Sequence, residues 1–156
     1  QRSENLGKAI AQLARFGSSM ENKYLERMSE LRSHPTIHYS CTQTLLVAFA
    51  KECGISEEKA FQLGMHFGGG MKMGSACGAI VGGLMVIGMM GGDDSHYRAF
   101  VKAMKENHGG LINCSDLLKK NAEAGGQRKA HCDGMIDEAA RNIIRVMNLD
   151  NSTALS

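Results

Sequence analysis

The sequence predicts an all-α fold: a single bundle of six or seven helices around a central, glycine-rich apolar helix. Apolar residues recur in steps of three and four along most of the 156 residues, with few alternating β-branched runs. The whole chain contains one proline, so little interrupts helical geometry. Helix-capping residues stand ahead of several periodic stretches, as at Ser40, Ser56 and Asp93.

The first element is a long amphipathic helix over residues 1–33. Its stripe runs through Leu6, Ile10, Leu13, Gly17, Met20, Tyr24, Met28 and Leu31, close to a heptad seam. Such a stripe either packs on its own domain or joins two subunits as a homodimer. Ser33, His34 and Pro35 stop it, because the residue before proline disfavours helical backbone. A second helix opens with Ser40 and Gln43, a capping box that puts Cys41 in the first helical position. Leu45, Ala48 and Phe49 form its inner face, and Gly54 supplies its C-terminal residue, leaving Cys53 at a helix end. A third helix follows Ser56, with Glu57 and Glu58 suited to the positive end of its dipole and Ala60, Phe61, Leu63 and Phe67 facing the core.

Residues 68–75 read GGGMKMGS and predict a flexible loop feeding an apolar helix over residues 76–90. That helix falls short of the roughly 20 apolar residues of a membrane span and is laced with glycine, so it is expected as a buried central element. Gly74, Gly78 and Gly82, four residues apart, leave one face bare for another backbone or a cofactor. Asp93, Asp94 and Ser95 cap a fifth helix whose stripe is Tyr97, Phe100, Val101 and Met104, ending near Gly109 and Gly110. Cys114 opens a short helix through Leu117 and Leu118. After a turn at Ala124, Gly125 and Gly126, the last helix follows His131, Cys132 and Asp133, with Ile136, Ala139, Ala140, Ile143 and Met147 inward. The plan is one domain. Residues 1–33 form its N-terminal helix, 36–149 a four-cysteine core and 150–156 a fraying tail.

Eighteen basic against sixteen acidic residues leave a net charge of +2. No basic stripe with interleaved aromatics appears, which argues against nucleic acid as a partner. No stretch is long and apolar enough to imply a membrane partner. Eleven methionines compensate for the absence of tryptophan as core fillers. Five cysteines are an odd number in a chain too large to need disulfide staples. With no secretory leader pattern visible in residues that begin at Gln1, a reducing, cytoplasmic location is expected, where thiols serve metals or catalysis.

Cys41, Cys77, Cys114 and Cys132 each stand where a helix is expected to begin. The partial positive charge of a helix start lowers thiol pKa and stabilises a thiolate or an anionic metal cluster, by about 0.3–1 kcal/mol when exposed and up to ~2 kcal/mol when partly buried. Four such starts point to helices aimed at one site. No two cysteines form CxxC, which removes thioredoxin-like motifs, zinc ribbons and c-type haem attachment. Zinc or an iron–sulfur cluster remains, with ligands assembled by tertiary folding alone, alongside the simpler reading of each thiol as a small buried hydrophobe. Backbone N–H groups around Gly74 and Gly78 are placed to hydrogen-bond cluster sulfurs. Cys53, at a helix end where a thiolate is disfavoured, reads as core.

Residues 77–82 read CGAIVG, a CGAxxG motif, preceded by Cys41 and followed by Cys114 and Cys132. In this order the chain resembles the redox-active protein family named for its C–GCAxxG–C–C cysteine pattern, over residues 39–147. The resemblance implies a small helical protein with four signature cysteines and a redox role. The chain is also similar to the iron–sulfur-bearing part of split-Soret cytochrome c, a helical fold that pairs into a dimer. Carried over residue by residue, the likeness nominates Cys41, Cys77, Cys114 and Cys132 as metal ligands. Cys53 has no counterpart. Haem is not carried over, because CxxCH is absent.

His131 and His38 stand near cysteines, yet no orienting group completes a Cys–His catalytic set. The glycine-rich loop lacks GxxxxGK[ST] and follows no strand, which removes a nucleotide site. Met71 and Met73 offer thioethers to copper(I) but read as filler. The expected function is therefore iron–sulfur binding, most simply 2Fe-2S, for electron transfer or redox sensing with an unidentified redox partner, as a component of oxidoreductase chemistry. The alternatives are a metal-free thiol–disulfide protein cycling pairs such as Cys41–Cys77, and a zinc-stapled helical interaction module.

Overall fold

A computed structural model describes residues 22–150 of the chain. Among the described residues there are seven α-helices, one short π-helical segment and a single isolated β-bridge, so the fold is all-α.

Helix α1 (Lys23–Arg32) begins at Asn22, whose backbone is extended and whose Oδ1 accepts from the N–H groups of Tyr24 and Leu25. Of the helix expected over residues 1–33, the described part is Lys23–Arg32, which starts at Asn22 because its Asx side chain satisfies the orphan amides. Leu6, Ile10, Leu13, Gly17 and Met20 lie outside the described residues. Tyr24, Met28 and Leu31 are buried in the chain's own core, with Tyr24 stacked on Phe49 at a centroid distance of 4.2 Å. This part of the stripe packs on its own fold.

Helix α2 (Cys41–Ala48) carries the expected capping box: Ser40 Oγ accepts from the Gln43 N–H, and Gln43 Oε1 accepts from the Ser40 N–H. It is the most enclosed element, since every residue from Thr42 to Val47 is buried. Its two buried hydroxyls are satisfied, Thr42 by the Gly78 carbonyl at 2.8 Å and Thr44 by the Ser40 carbonyl at 2.7 Å. The helix ends at Ala48, earlier than expected, and tight turns lead to Gly54 at φ +73°. Helix α3 (Glu57–Gly64), capped by Ser56, lies on α2. Its contact is made by Ala60 and Gly64, where a Cβ would stand 3.0 Å from the Gln43 nitrogen, so the backbones are too close for a larger side chain. Leu63, expected inside, is exposed.

Helix α4 (Gly78–Met89) is the central element, packed by α2, by α5 (Asp94–Glu106) and by α7 (Arg128–Met147). Its glycines let these neighbours close in. A Cβ on Gly82 would lie 3.2 Å from Thr42 Cα, and one on Gly83 would collide with the Phe100 ring. The bare face expected at Gly82 is therefore filled by α2 rather than left for a cofactor. On α5, Phe100 and Met104 are buried as expected, whereas Tyr97 is half exposed, because it lies ahead of the stretch that meets α4. Helix α6 (Cys114–Glu123) buries Leu117. Helix α7 starts at Arg128, ahead of the predicted start after Asp133. Asp133 is no cap: it sits inside the helix, paired with Lys129 one turn earlier at 3.0 Å and with Arg32 at 2.7 Å.

Candidate redox centre

Three cysteines occupy helix starts. Cys41 is the first residue of α2, Cys77 the N-cap of α4 and Cys114 the first residue of α6. Cys132 does not, since α7 begins one turn before it. All four line one cavity of about 540 Å³, so the convergence expected from the sequence is present. They are tied as two pairs. Cys41 and Cys132 are near enough for each thiol to shift the proton equilibrium of the other. Cys77 and Cys114 are joined through backbone: an antiparallel bridge links Ala76 to Asn113, the Cys77 N–H donates to the Ile112 carbonyl at 2.8 Å, and the Cys114 N–H donates to the Ser75 carbonyl at 2.7 Å. Cys53 stays outside the cavity, its thiol donating to the Val86 carbonyl at 3.9 Å, and burial pushes it up to about 11.

The expected lowering of thiol pKa at helix starts is outweighed by burial. Cys77 is pushed up by desolvation, although the Ile80 and Ala79 N–H groups at the start of α4 pull it back. Cys114 is raised by burial and by the charge of Cys132. Cys41 is raised by its hydrogen bond to Cys132 and by burial. Only Cys132 is lowered, to about 6, first by the Cys41 hydrogen bond and then, against its own burial, by Arg32 and Arg128. A few ångströms of low-dielectric surroundings disfavour charge more than one helix dipole favours it. A thiolate needs a partner to share its charge, which Cys132 has.

The residues before Cys77 are wound tightly rather than left as a flexible loop. Gly69, Gly70, Met71 and Lys72 all take left-handed backbone, with φ between +59° and +65°, and Gly74 returns to φ +74° at the end of the segment Gly70–Gly74. Left-handed geometry costs roughly 1–2 kcal/mol for each of the two non-glycine residues. The turn is held by Met71 N–H to Phe67 carbonyl, by Ser75 N–H to Gly70 carbonyl and by Ser115 Oγ donating to the Gly74 carbonyl at 3.0 Å. Of the two glycines expected at the centre, Gly78 lines the four-cysteine cavity, where a Cβ would stand 3.2 Å from that of Cys41. Gly74 instead lines an adjoining cavity of about 700 Å³ that shares Cys114 and Arg128 with the first.

Sequence reasoning missed the cations of the site. Arg32 reaches across from α1, its Nε donating to Asp133 and its Nη1 to the Tyr39 carbonyl, both at 2.7 Å. Arg128 stands in the first turn of α7 and acts on both Cys114 and Cys132. The basic first turn of α7 was a usable signal, since cations there oppose the helix dipole and call for a nearby anion. Arg32, a hundred residues from its partner, left none. His34, His38 and His131 also line the cavity, and burial lowers the pKa of His131.

Among the described residues no three His, Cys, Asp or Glu side chains are gathered closely enough to hold a single metal ion. Two thiol pairs on one cavity are suited to a two-iron cluster, which takes two thiolates per iron, or to a dithiol that closes to a disulfide. No described helix is long and apolar enough to cross a membrane. No curated protein and no solved structure matches this chain. The family model described as "Putative redox-active protein (C_GCAxxG_C_C)" matches residues 39–146, a span that includes all four cavity cysteines, and the chain belongs to that family.

Proposed function

We propose that the protein holds an iron–sulfur cluster, most simply two-iron, through Cys41, Cys77, Cys114 and Cys132, and serves electron transfer or redox sensing in the cytoplasm. The convergence of four thiols from four helices on one cavity, as two pairs, carries this reading. A bound cluster supplies a one-electron couple tuned by burial and by hydrogen bonds to sulfur. The chain contributes the rest. Cys41 and Cys132 form one side, Cys77 and Cys114 the other; Ile80 and Ala79 present N–H groups to Cys77; Arg32 and Arg128 offset negative charge. Gly78 allows the close approach of α4 to Cys41. Four thiols must lose protons to become ligands, so loading releases protons and strengthens as pH rises.

Zinc fits less well. Tetrahedral zinc at Zn–S about 2.3 Å requires four sulfurs spaced only about 3.8 Å apart, and no three described donors are grouped for one ion. Protein purified without oxygen is expected to be brown, with iron and acid-labile sulfide in equal amounts. Serine at any of the four cysteines should lower both, whereas Cys53→Ser should not. Colourless, iron-free protein with four titratable thiols would refute the cluster.

The contact between Cys41 and Cys132 favours a second reading, a redox dithiol. The Cys132 thiolate attacks the sulfur of an incoming disulfide and releases one thiolate; the Cys41 thiolate then displaces the other, leaving a Cys41–Cys132 disulfide and a reduced substrate. Mass spectrometry after alkylation distinguishes it: mild oxidation should remove two thiols, mapped to these two cysteines. Cys77 acts on Cys41 through its charge alone.

A further inference from the structure

Features left over from the cysteine centre gather around its two cavities. Neither cavity is lined by a carboxylate, although the chain has almost as many acids as bases. Their charged lining consists of Arg32, Lys72, Arg128 and Lys129. Asp133 pairs with Arg32 and Lys129, and Asp116, exposed in the first turn of α6, lines neither cavity. An excess of positive charge therefore remains with the histidines neutral. Arg128 lines both cavities and makes no hydrogen bond or ion pair with described residues.

Large apolar side chains are exposed among these cations. Ile37 lines the first cavity; Met65 and Met73 line the second, and Met73 is 72% exposed. Lys72 belongs to the left-handed turn anchored to Ser115, beside Cys114, and Met73 follows it at φ −134°. The left-handed backbone at Met71 and Lys72 brings Lys72, whose Nζ meets His66 Nδ1 at 2.8 Å, and the neighbouring Met73 to the surface, and such strain concentrates at functional contacts. Methionine adapts its shape to a partner, and an apolar centre within a charged surround suits weak, fast association.

We propose that this face, centred on Lys72 and Met73, docks an acidic one-electron carrier protein over the four-cysteine cavity; the proposal rests on the redox reading above. Charge complementarity selects the partner: its acidic face meets the carboxylate-free surround, and Met73 enters its apolar centre. With a cluster held by the four cysteines, a carrier docked here would be the reductant, giving up one electron to the cluster with no atom transferred.

The test uses the full chain as purified without oxygen and an acidic flavodoxin as the probe, with Kd measured by titration calorimetry. Affinity should fall about tenfold between about 20 and 300 mM NaCl, as screening shortens the reach of the charges. Lys72→Glu and Met73→Asp should each weaken binding at least about tenfold at low salt while leaving reduction by dithionite unchanged. Lys51→Glu, exposed beyond the far end of α2 from Cys41, should leave Kd unchanged. A salt-independent Kd, or equal losses in Lys51→Glu and Lys72→Glu, overturns the proposal. If the protein alone dimerises in sedimentation and Met73→Asp makes it monomeric, a second copy occupies the face and the proposal is equally overturned. Failure of the redox reading looks different: dithionite then changes no absorbance, while the salt and mutation dependence of flavodoxin binding still decides the surface.

Discussion

Cys132 is the one thiol of the centre whose charge the fold favours, and its reactivity offers a sharp test of the geometry. In metal-free protein its pKa is lowered to about 6, chiefly by Cys41. At pH 6 it is then half thiolate, whereas an ordinary thiol of pKa about 8.5 is about 0.3% thiolate, a ratio near 160. Nucleophilicity falls with pKa at a Brønsted slope of about 0.4–0.5, which removes roughly 13-fold over this difference. Cys132 should therefore react with iodoacetamide about tenfold faster at pH 6 than the cysteine of an unstructured peptide whose thiol pKa is about 8.5. At pH 8.5 the thiolate ratio is only about two, so Cys132 should be about sixfold slower. Half-burial scales both rates alike. The change of about 80-fold in relative rate between the two pH values is thus independent of access. The assay is the pH dependence of alkylation at the Cys132 peptide, read by mass spectrometry. Cys41→Ala removes the largest cause and should move the inflection up towards the ordinary thiol range; Arg32→Met should move it less. An inflection near 8.5 in the unaltered chain, or one unmoved by Cys41→Ala, refutes the pairing of these two sulfurs.

The same shift has a stability signature. A group whose pKa is depressed in the fold adds stability that is complete above its unfolded pKa and is lost as pH falls through the folded value. The melting-temperature difference between metal-free wild type and Cys132→Ser should accordingly grow from pH 6 to about 8.5. Cys77 behaves oppositely: raised by burial, it should cost the metal-free fold stability only above about pH 8.5, where the unfolded chain ionises and the fold does not. Two glycines of α4 should respond in opposite senses in urea titrations. Gly88→Ala meets nothing within 4 Å and should stabilise by about 1 kcal/mol through helix propensity. Gly83→Ala forces a Cβ against the Phe100 ring and should cost about 1–3 kcal/mol. Arg32→Met strands the Tyr39 carbonyl and leaves Asp133 to Lys129 alone, and a stability loss of about 1–3 kcal/mol is expected from urea unfolding.

Local chemistry made the helical elements readable. Ser40 with Gln43, Ser56 and Asp93 cap helices where expected, because a side-chain oxygen that satisfies an orphan amide acts within three residues. The stripes of α5 and α7 named Phe100, Met104, Ile136, Ala139 and Ile143 as core for the same reason of short range. Errors arose where a residue's partner was distant. The last helix, expected only after Asp133, starts at Arg128 and holds Asp133 inside it, paired with Arg32 of another helix. Leu63 is apolar enough to bury, yet α3 meets α2 through Ala60 and Gly64, and Leu63 is exposed.

Expected helix starts, together with the family resemblance, marked Cys41, Cys77, Cys114 and Cys132 as a set, and a helix end set Cys53 apart. Helix starts alone could not decide their ionisation, since burial raises Cys77 and Cys114 despite their positions. Only packing brought Cys41 against Cys132, placed Arg32 and Arg128 beside them, and bridged Ala76 to Asn113 to tie the other two. The division follows from range. Capping and periodicity act between neighbours in sequence, whereas desolvation and charge depend on whatever the fold brings near, however far along the chain it began.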